Sequence, residues 1–214
     1  HQTVETFAVD LEAHGGKRGS ITQACMDMSA AFLKGTRLSL PNALVSFDRF
    51  HVVALANDAM DKVRSTEWKT ESARVFDELG DLSPKERRSI LWAMRRNPAS
   101  WSATQIHAMH WLQRANLKSA RAWRLKMALR EVFAKARTHN QATLAAADLK
   151  AWISWARRSR LEPFKTLATT LRTHFDAVVR GMLDNRSNAF VEAMNGLMQQ
   201  AKRAARGFRT ATNI

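Results

Sequence analysis

Apolar residues are spaced differently in the two halves of this chain. Over the first fifty residues short apolar runs alternate with helical patterns: a helix over Val4–His14, a Gly-Gly turn, a strand-like ITQACMD, a helix near Ala30–Leu38, then a second strand-like run in PNALVSFD. From Phe50 to about Met182 the strand signals vanish and helix punctuation takes over. In SPKE, Ser83 is placed as an N-cap, Pro84 takes the first helical position and Glu86 completes a capping box; SATQ offers the same arrangement with Ser102 and Gln105. Asn140 is positioned to cap the helix containing LAAADLKAWISWARR. The pattern predicts helices at Phe50–Thr66, Ser72–Leu79, Pro84–Arg95, Ala103–Gln113, Ser119–Thr138, Gln141–Arg158 and Pro163–Leu183. No internal repeat or low-complexity tract interrupts it.

The closing stretch NAFVEAMNGLMQQAKRAARGFR also reads as a helix. On a wheel of about 100° per residue, Glu192, Asn195, Gly196, Gln199, Arg203 and Arg206 share one face, opposite Val191, Met194, Met198, Ala201 and Ala205. Glu192 is the only acidic residue after Asp184. One reading is a surface helix whose leading carboxylate complements the helix dipole; the other gives Glu192 acidic partners elsewhere. Asp27 and Asp48 each end a strand-like run, and neighbouring parallel strands would bring both to the C-terminal edge of a sheet, where α/β sites form. Carboxylates converging there bind Mg²⁺ through hard oxygens. The structural alternative makes each Asp a helix N-cap, before MSAAF and RFHV respectively.

Charge narrows the partner. Lys plus Arg number 34 against 19 Asp plus Glu, for a net charge of +15 in 214 residues. That excess favours a polyanion, with nucleic acid first among candidates. The basic residues cluster in KERR, RAWRLK (Arg121–Lys126), RRSR (Arg157–Arg160) and the terminal KRAARGFR. In isolation each is an ordinary solvated face; together they exceed what solubility requires, and phosphate contacts from them give affinity without sequence choice. No apolar run approaches the ~18 residues of a membrane span, and the opening HQTVETFAVDLEAHGG has neither the basic nor the apolar region of a signal peptide, which reads as an intracellular protein. Cys25 is the only cysteine, which excludes an internal disulfide and a multi-cysteine zinc site. Trp92, Trp101, Trp111, Trp123, Trp152 and Trp155 fall in the helical region and read as core, with base stacking the minority reading; Trp152 and Trp155 can share a helix face. His107 and His110, without an acidic or cysteine neighbour in sequence, read as structural rather than metal-binding.

The order MDMSAAFLKG, LPNALVSFDRFHVVALANDAMDKVR, a long helical stretch, then SNAFVEAMNGLMQQAKRAARGFR resembles the DDE transposases of bacterial insertion sequences, specifically the ISL-three group. The likeness spans essentially the whole chain. It implies an α/β fragment of a ribonuclease H-like core, residues 1–52 and 184–214, interrupted by an all-α insertion over 53–183, with helix predominating overall. It also implies a pair of Mg²⁺ or Mn²⁺ ions held by two Asp and one Glu. Carried over, Asp27 matches the second Asp and Glu192 the Glu, both catalytic through the metals; Asp48, Arg49, His51, Asn188 and Asn195 match positions beside the metals or the DNA. Lys202, Arg203, Arg206 and Arg209 are the expected DNA contacts near the scissile phosphate.

The implied partners are transposon ends and target DNA, with a homo-oligomer in the intact enzyme, no membrane, and a cytoplasmic, nucleoid-associated location in a bacterium. Asp10 cannot be the family's first Asp, being on a helical pattern and too close to Asp27. The chain opens on His1, not Met, and lacks the family's N-terminal zinc-binding and helix-turn-helix regions. It therefore reads as the C-terminal part of a transposase, inactive alone because one carboxylate is missing. The alternative is a non-catalytic helical DNA-binding or assembly module, in which Asp27 and Glu192 are helix caps that have no reason to meet. Ala193 replaces the Gly the family usually carries after its Glu.

Overall fold

The computed structural model describes residues 2–80, 82–184 and 189–204. Helix dominates: among the described residues there are eleven α-helices and two β-strands. They form two compact units, His1–Asp48 with Asp184–Ile214, and Arg49–Leu183.

In the first unit, α1 (Gln2–Ala13) is followed by β1 (Gln23–Met26), α2 (Ala30–Ser39) and β2 (Leu44–Phe47). Gly15, at φ 84, turns the chain after α1, a conformation that a residue with a Cβ adopts only with strain. α1 packs on α2. The strands pair in parallel, with Gln23 opposite Leu44 and Met26 opposite Phe47. Parallel partners need a crossover connection, and α2 provides it. Phe47 is fully buried and anchors the C-terminal end of the pair. The last helix of this unit, α11 in the numbering that follows, spans Ala189–Ala204.

The second unit is all helix: α3 (Arg49–Thr70), α4 (Ser72–Glu78), α5 (Pro84–Arg95), α6 (Ala103–Arg114), α7 (Lys118–His139), α8 (Ala142–Arg158), α9 (Glu162–Thr173) and α10 (Phe175–Leu183). α3 packs along α7 and α9, α5 pairs with α6, and α8 lies against α7, α9 and α10. The core includes Met60, Leu79, Ile90, Met94, Leu125 and Phe164, all fully buried. Both capping boxes form: Ser83 with Glu86 begins α5, and Ser102 with Gln105 begins α6. The first turn of α7 is capped from outside. Leu117 at its N-cap has no side-chain oxygen, and the buried Glu67 of α3 instead accepts the amides of Lys118 at 2.6 Å and Ser119 at 2.7 Å.

Four expectations change. Asn140 ends α7 rather than starting α8; it sits in the left-handed conformation at φ 49, with its amide donating to the Ala136 carbonyl. The helix expected over Pro163–Leu183 divides at His174. Thr166, Thr169, Thr170 and Thr173 each donate their hydroxyl to the carbonyl four residues back, and such bonds compete with the helical ladder and bend it. Of the tryptophans read as core, Trp123 and Trp152 are buried but Trp92 and Trp155 are exposed. Trp155 is offset from Trp152 by about 60° on the wheel, enough to leave the buried stripe. His107 has an acidic neighbour that sequence spacing hid: its Nδ1 lies 2.7 Å from Glu86 Oε1, joining α6 to the capping box of α5.

Candidate functional site

The parallel register carries Asp27 and Asp48, the residues after Met26 and Phe47, to the same C-terminal edge of the sheet. The Asp48 amide extends the ladder by donating to the Met26 carbonyl at 2.8 Å, so the two backbones stay about one strand spacing, ~5 Å, apart. Asp48 is buried, whereas Asp27 is half-buried. Asp27 is not the N-cap of α2. Ser29 is the N-cap of α2, and Asp27, two residues earlier, accepts the Ser29 amide on Oδ1 at 3.0 Å. That Asx turn fixes the carboxylate's direction and leaves Oδ2 for a ligand. Asp48 does directly precede α3.

The donor type at this edge suits a hard divalent cation, because two carboxylates are the ligands such ions take. Two are fewer than a metal pair needs, and among the described residues no group of three or more His, Cys, Asp or Glu converges. Glu192 lies on α11; its side chain, with those of Asn195 and Lys202, is outside the described residues, as are Asn188, Arg206 and Arg209 altogether. Arg203 is exposed on α11. Met194, Leu197 and Met198 of that helix are exposed too.

Arg49 and His51 begin α3. His51 is half-buried. The Arg49 guanidinium lies over the Phe50 ring, 4.9 Å from its centroid, at the wall of a cleft of about 450 Å³ that also receives Asn57, Lys126, Arg130 and Arg137. Two cations here are already engaged. Arg95 donates to Asp61 from Nε at 2.8 Å, and Arg64 donates to the other oxygen at 3.2 Å. Burial acts to raise the Asp61 pKa, but bonds and charge from these two arginines outweigh it and hold the carboxyl below its ordinary value. Lys126 is fully buried, and its ammonium donates to the Met94 carbonyl. Burial, assisted by the like charge of Arg130 and opposed by Asp61, lowers its pKa to about 8. Lys126 is therefore not part of a solvated basic face, as its place in RAWRLK suggested. The signal was available: a Lys one residue after Leu125 and three before Leu129 falls on the apolar stripe of α7.

No helix among the described residues is long and apolar enough to cross a membrane. Residues 1–214 match the profile of a family described as "Transposase", the ISL3 branch of the DDE type. The chain is also similar to the transposase for insertion sequence element IS1557 from two strains of Mycobacterium tuberculosis, at 29% identity over 222 residues in each case. That alignment takes in 96% of this chain and 49% of each relative, so the chain spans about half the length of the curated relatives it matches. No solved structure matches.

Proposed function

This chain belongs to the ISL3 branch of the DDE transposases, and on that premise we propose that it contributes metal-binding carboxylates to the breakage and joining of DNA at the ends of an insertion sequence. The observation that carries the reading is the parallel register, which sets Asp27 and Asp48 side by side at one sheet edge. In this reading β1, β2 and α11 belong to a ribonuclease H-like core, and residues 53–183 form a helical insertion ahead of the helix bearing Glu192.

Asp27 and Glu192 hold divalent cations, with Mg²⁺ or Mn²⁺ suited to their oxygen donors. Bound there, the ions would supply Lewis-acid polarisation of a phosphodiester and lower the pKa of water or a 3′ hydroxyl. The protein's own part is positional. The Asx turn at Ser29 aims Asp27, and the buried Asp48 braces the neighbouring backbone. Arg49, His51, Asn188 and Asn195 lie close to metal or DNA, and Lys202, Arg203, Arg206 and Arg209 neutralise phosphates beside the scissile bond. DNA ends come in pairs, so a homo-oligomer is the working form. Asp10 lies on a helix, α1, and close in sequence to Asp27, so in this reading it is not the family's first Asp, and these 214 residues on their own should cut DNA poorly.

The test is Mn²⁺ binding by calorimetry to the chain and to its Asp27→Asn and Glu192→Gln variants. Each substitution should weaken binding about tenfold or more, since each removes a charged ligand. Equal affinity in all three would remove both residues from the metal site and favour a non-catalytic DNA-binding or assembly module.

A further inference from the structure

Two basic runs well separated in sequence, RAWRLK and RRSR, meet in the helical unit. Arg121 and Arg124 of α7, and Arg158 and Arg160 at the end of α8, line one cleft of about 510 Å³ with Trp155 and Ser159. The four arginines are exposed. Among the described residues none of them forms an ion pair, and Arg158 Nη1 donates to Ser154 Oγ at 2.8 Å. Four guanidinium groups around one cleft with no carboxylate repel one another, and a polyanion relieves that repulsion.

Trp155 adds a second kind of recognition. It is 44% exposed, whereas Trp152, one turn earlier, is buried with its Nε1 donating to the Leu125 carbonyl at 2.9 Å. The fold thus uses Trp152 to join α8 to α7 and leaves the Trp155 indole in the arginine cleft.

Arg160 supplies a third observation. It follows Ser159, the C-cap of α8, and adopts φ 60. Helices commonly end on a left-handed residue at this place, and glycine is the residue that takes it without strain. Helix geometry alone would select Gly, yet the position holds a guanidinium at the cleft.

Arginine forks grip phosphate oxygens in pairs, and an indole stacks on a nucleobase. A base inside a duplex has no free face to offer; an unpaired one does. We propose that the α7–α8 cleft binds a stretch of nucleic-acid backbone carrying an unpaired nucleotide, with phosphates on Arg121, Arg124, Arg158 and Arg160 and the base on Trp155. The assignment rests on the DNA-handling reading above but uses different residues and needs no metal. The cleft at Arg49 is the weaker choice, because Arg95 and Lys126 there already have partners.

The experiment is fluorescence anisotropy in EDTA with a short labelled duplex, either blunt or with a single-stranded extension. The extended duplex should bind about tenfold more tightly. Trp155→Ala should erase that preference and Trp155→Phe retain most of it. Arg160→Gly should weaken both DNAs and lower the slope of log affinity against log salt by about one, while the thermal midpoint stays level or rises. Wild-type affinities and slopes in folded Trp155→Ala and Arg160→Gly proteins would overturn the proposal. So would equal loss on blunt and extended DNA in Trp155→Ala, or displacement of the DNA by polyglutamate of equal charge. Metal binding is read separately, by Mn²⁺ calorimetry without DNA, so failure of the metal site and failure of the cleft are separable.

Discussion

At the sheet edge, side-chain placement follows from the backbone: a ladder of two four-residue strands sets Asp27 beside Asp48, and a turn to the Ser29 amide aims one of them. In the α7–α8 cleft, placement follows from packing. Arg121, Arg124, Arg158 and Arg160 ride on two helices held together by Trp152, Leu125 and the core beneath. The first arrangement fixes a few acidic atoms closely and has little buried area behind it. The second spreads cationic groups over a firm base, where exact positions matter less than summed charge. Metal chemistry needs the former and backbone gripping the latter, so one chain can hold both if each is supported by its own unit.

That independence can be broken at either end. The largest effect should come from Phe47→Ala, which empties a fully buried site under the strand pair and should cost about 3–5 kcal/mol. Denaturant titration should show the loss, Mn²⁺ binding should go with it, and affinity for the extended duplex should persist. The reciprocal change is Glu67→Ala. It leaves two amides at the start of α7 without their acceptor and should cost about 2–3 kcal/mol in the helical unit, weakening DNA binding while Mn²⁺ affinity holds.

A pH series sharpens the contrast further. Lys126 has a folded pKa of about 8 against an ordinary 10.5, so between those values the unfolded chain binds the extra proton. Stability should therefore rise with pH across that window, by on the order of 2 kcal/mol relative to Lys126→Met. The smallest effect lies at acid pH. Hydrogen bonds from the Ser83 hydroxyl and amide, and then from His107, lower the Glu86 pKa from 4.5 to about 2. Its contribution is present above the ordinary value and lost as pH falls toward the folded one, so Glu86→Gln should flatten the acid limb of a thermal-melt series slightly, since the group is only half-buried and water screens it.

Much of this organisation is legible in the amino-acid order where the physics is local. Ser83 and Ser102 mark helix starts because a side-chain oxygen three residues from an amide needs no tertiary partner. Two apolar runs of strand length around a helix announce a parallel pair because a helical crossover is the connection that parallel neighbours use. What escapes is set by groups distant in sequence. Glu67 caps a helix that begins 51 residues later, and Glu86 meets His107 across 21. RAWRLK and RRSR look like separate solvated faces until α7 and α8 bring them together. The break at His174 is an intermediate case: the threonine spacing is visible, but whether hydroxyls bend a helix depends on what packs against it.

Arg160 ties a codon to a use. Every arginine codon is one base change from a glycine codon, and the backbone at this position already has the shape glycine prefers. Helix geometry therefore favours a change that a single base substitution can make, and the proposed phosphate contact opposes it. Copies of the element that no longer handle DNA should convert here early, with no loss of fold, so glycine at this position in a relative would date the end of its working life better than damage in the core.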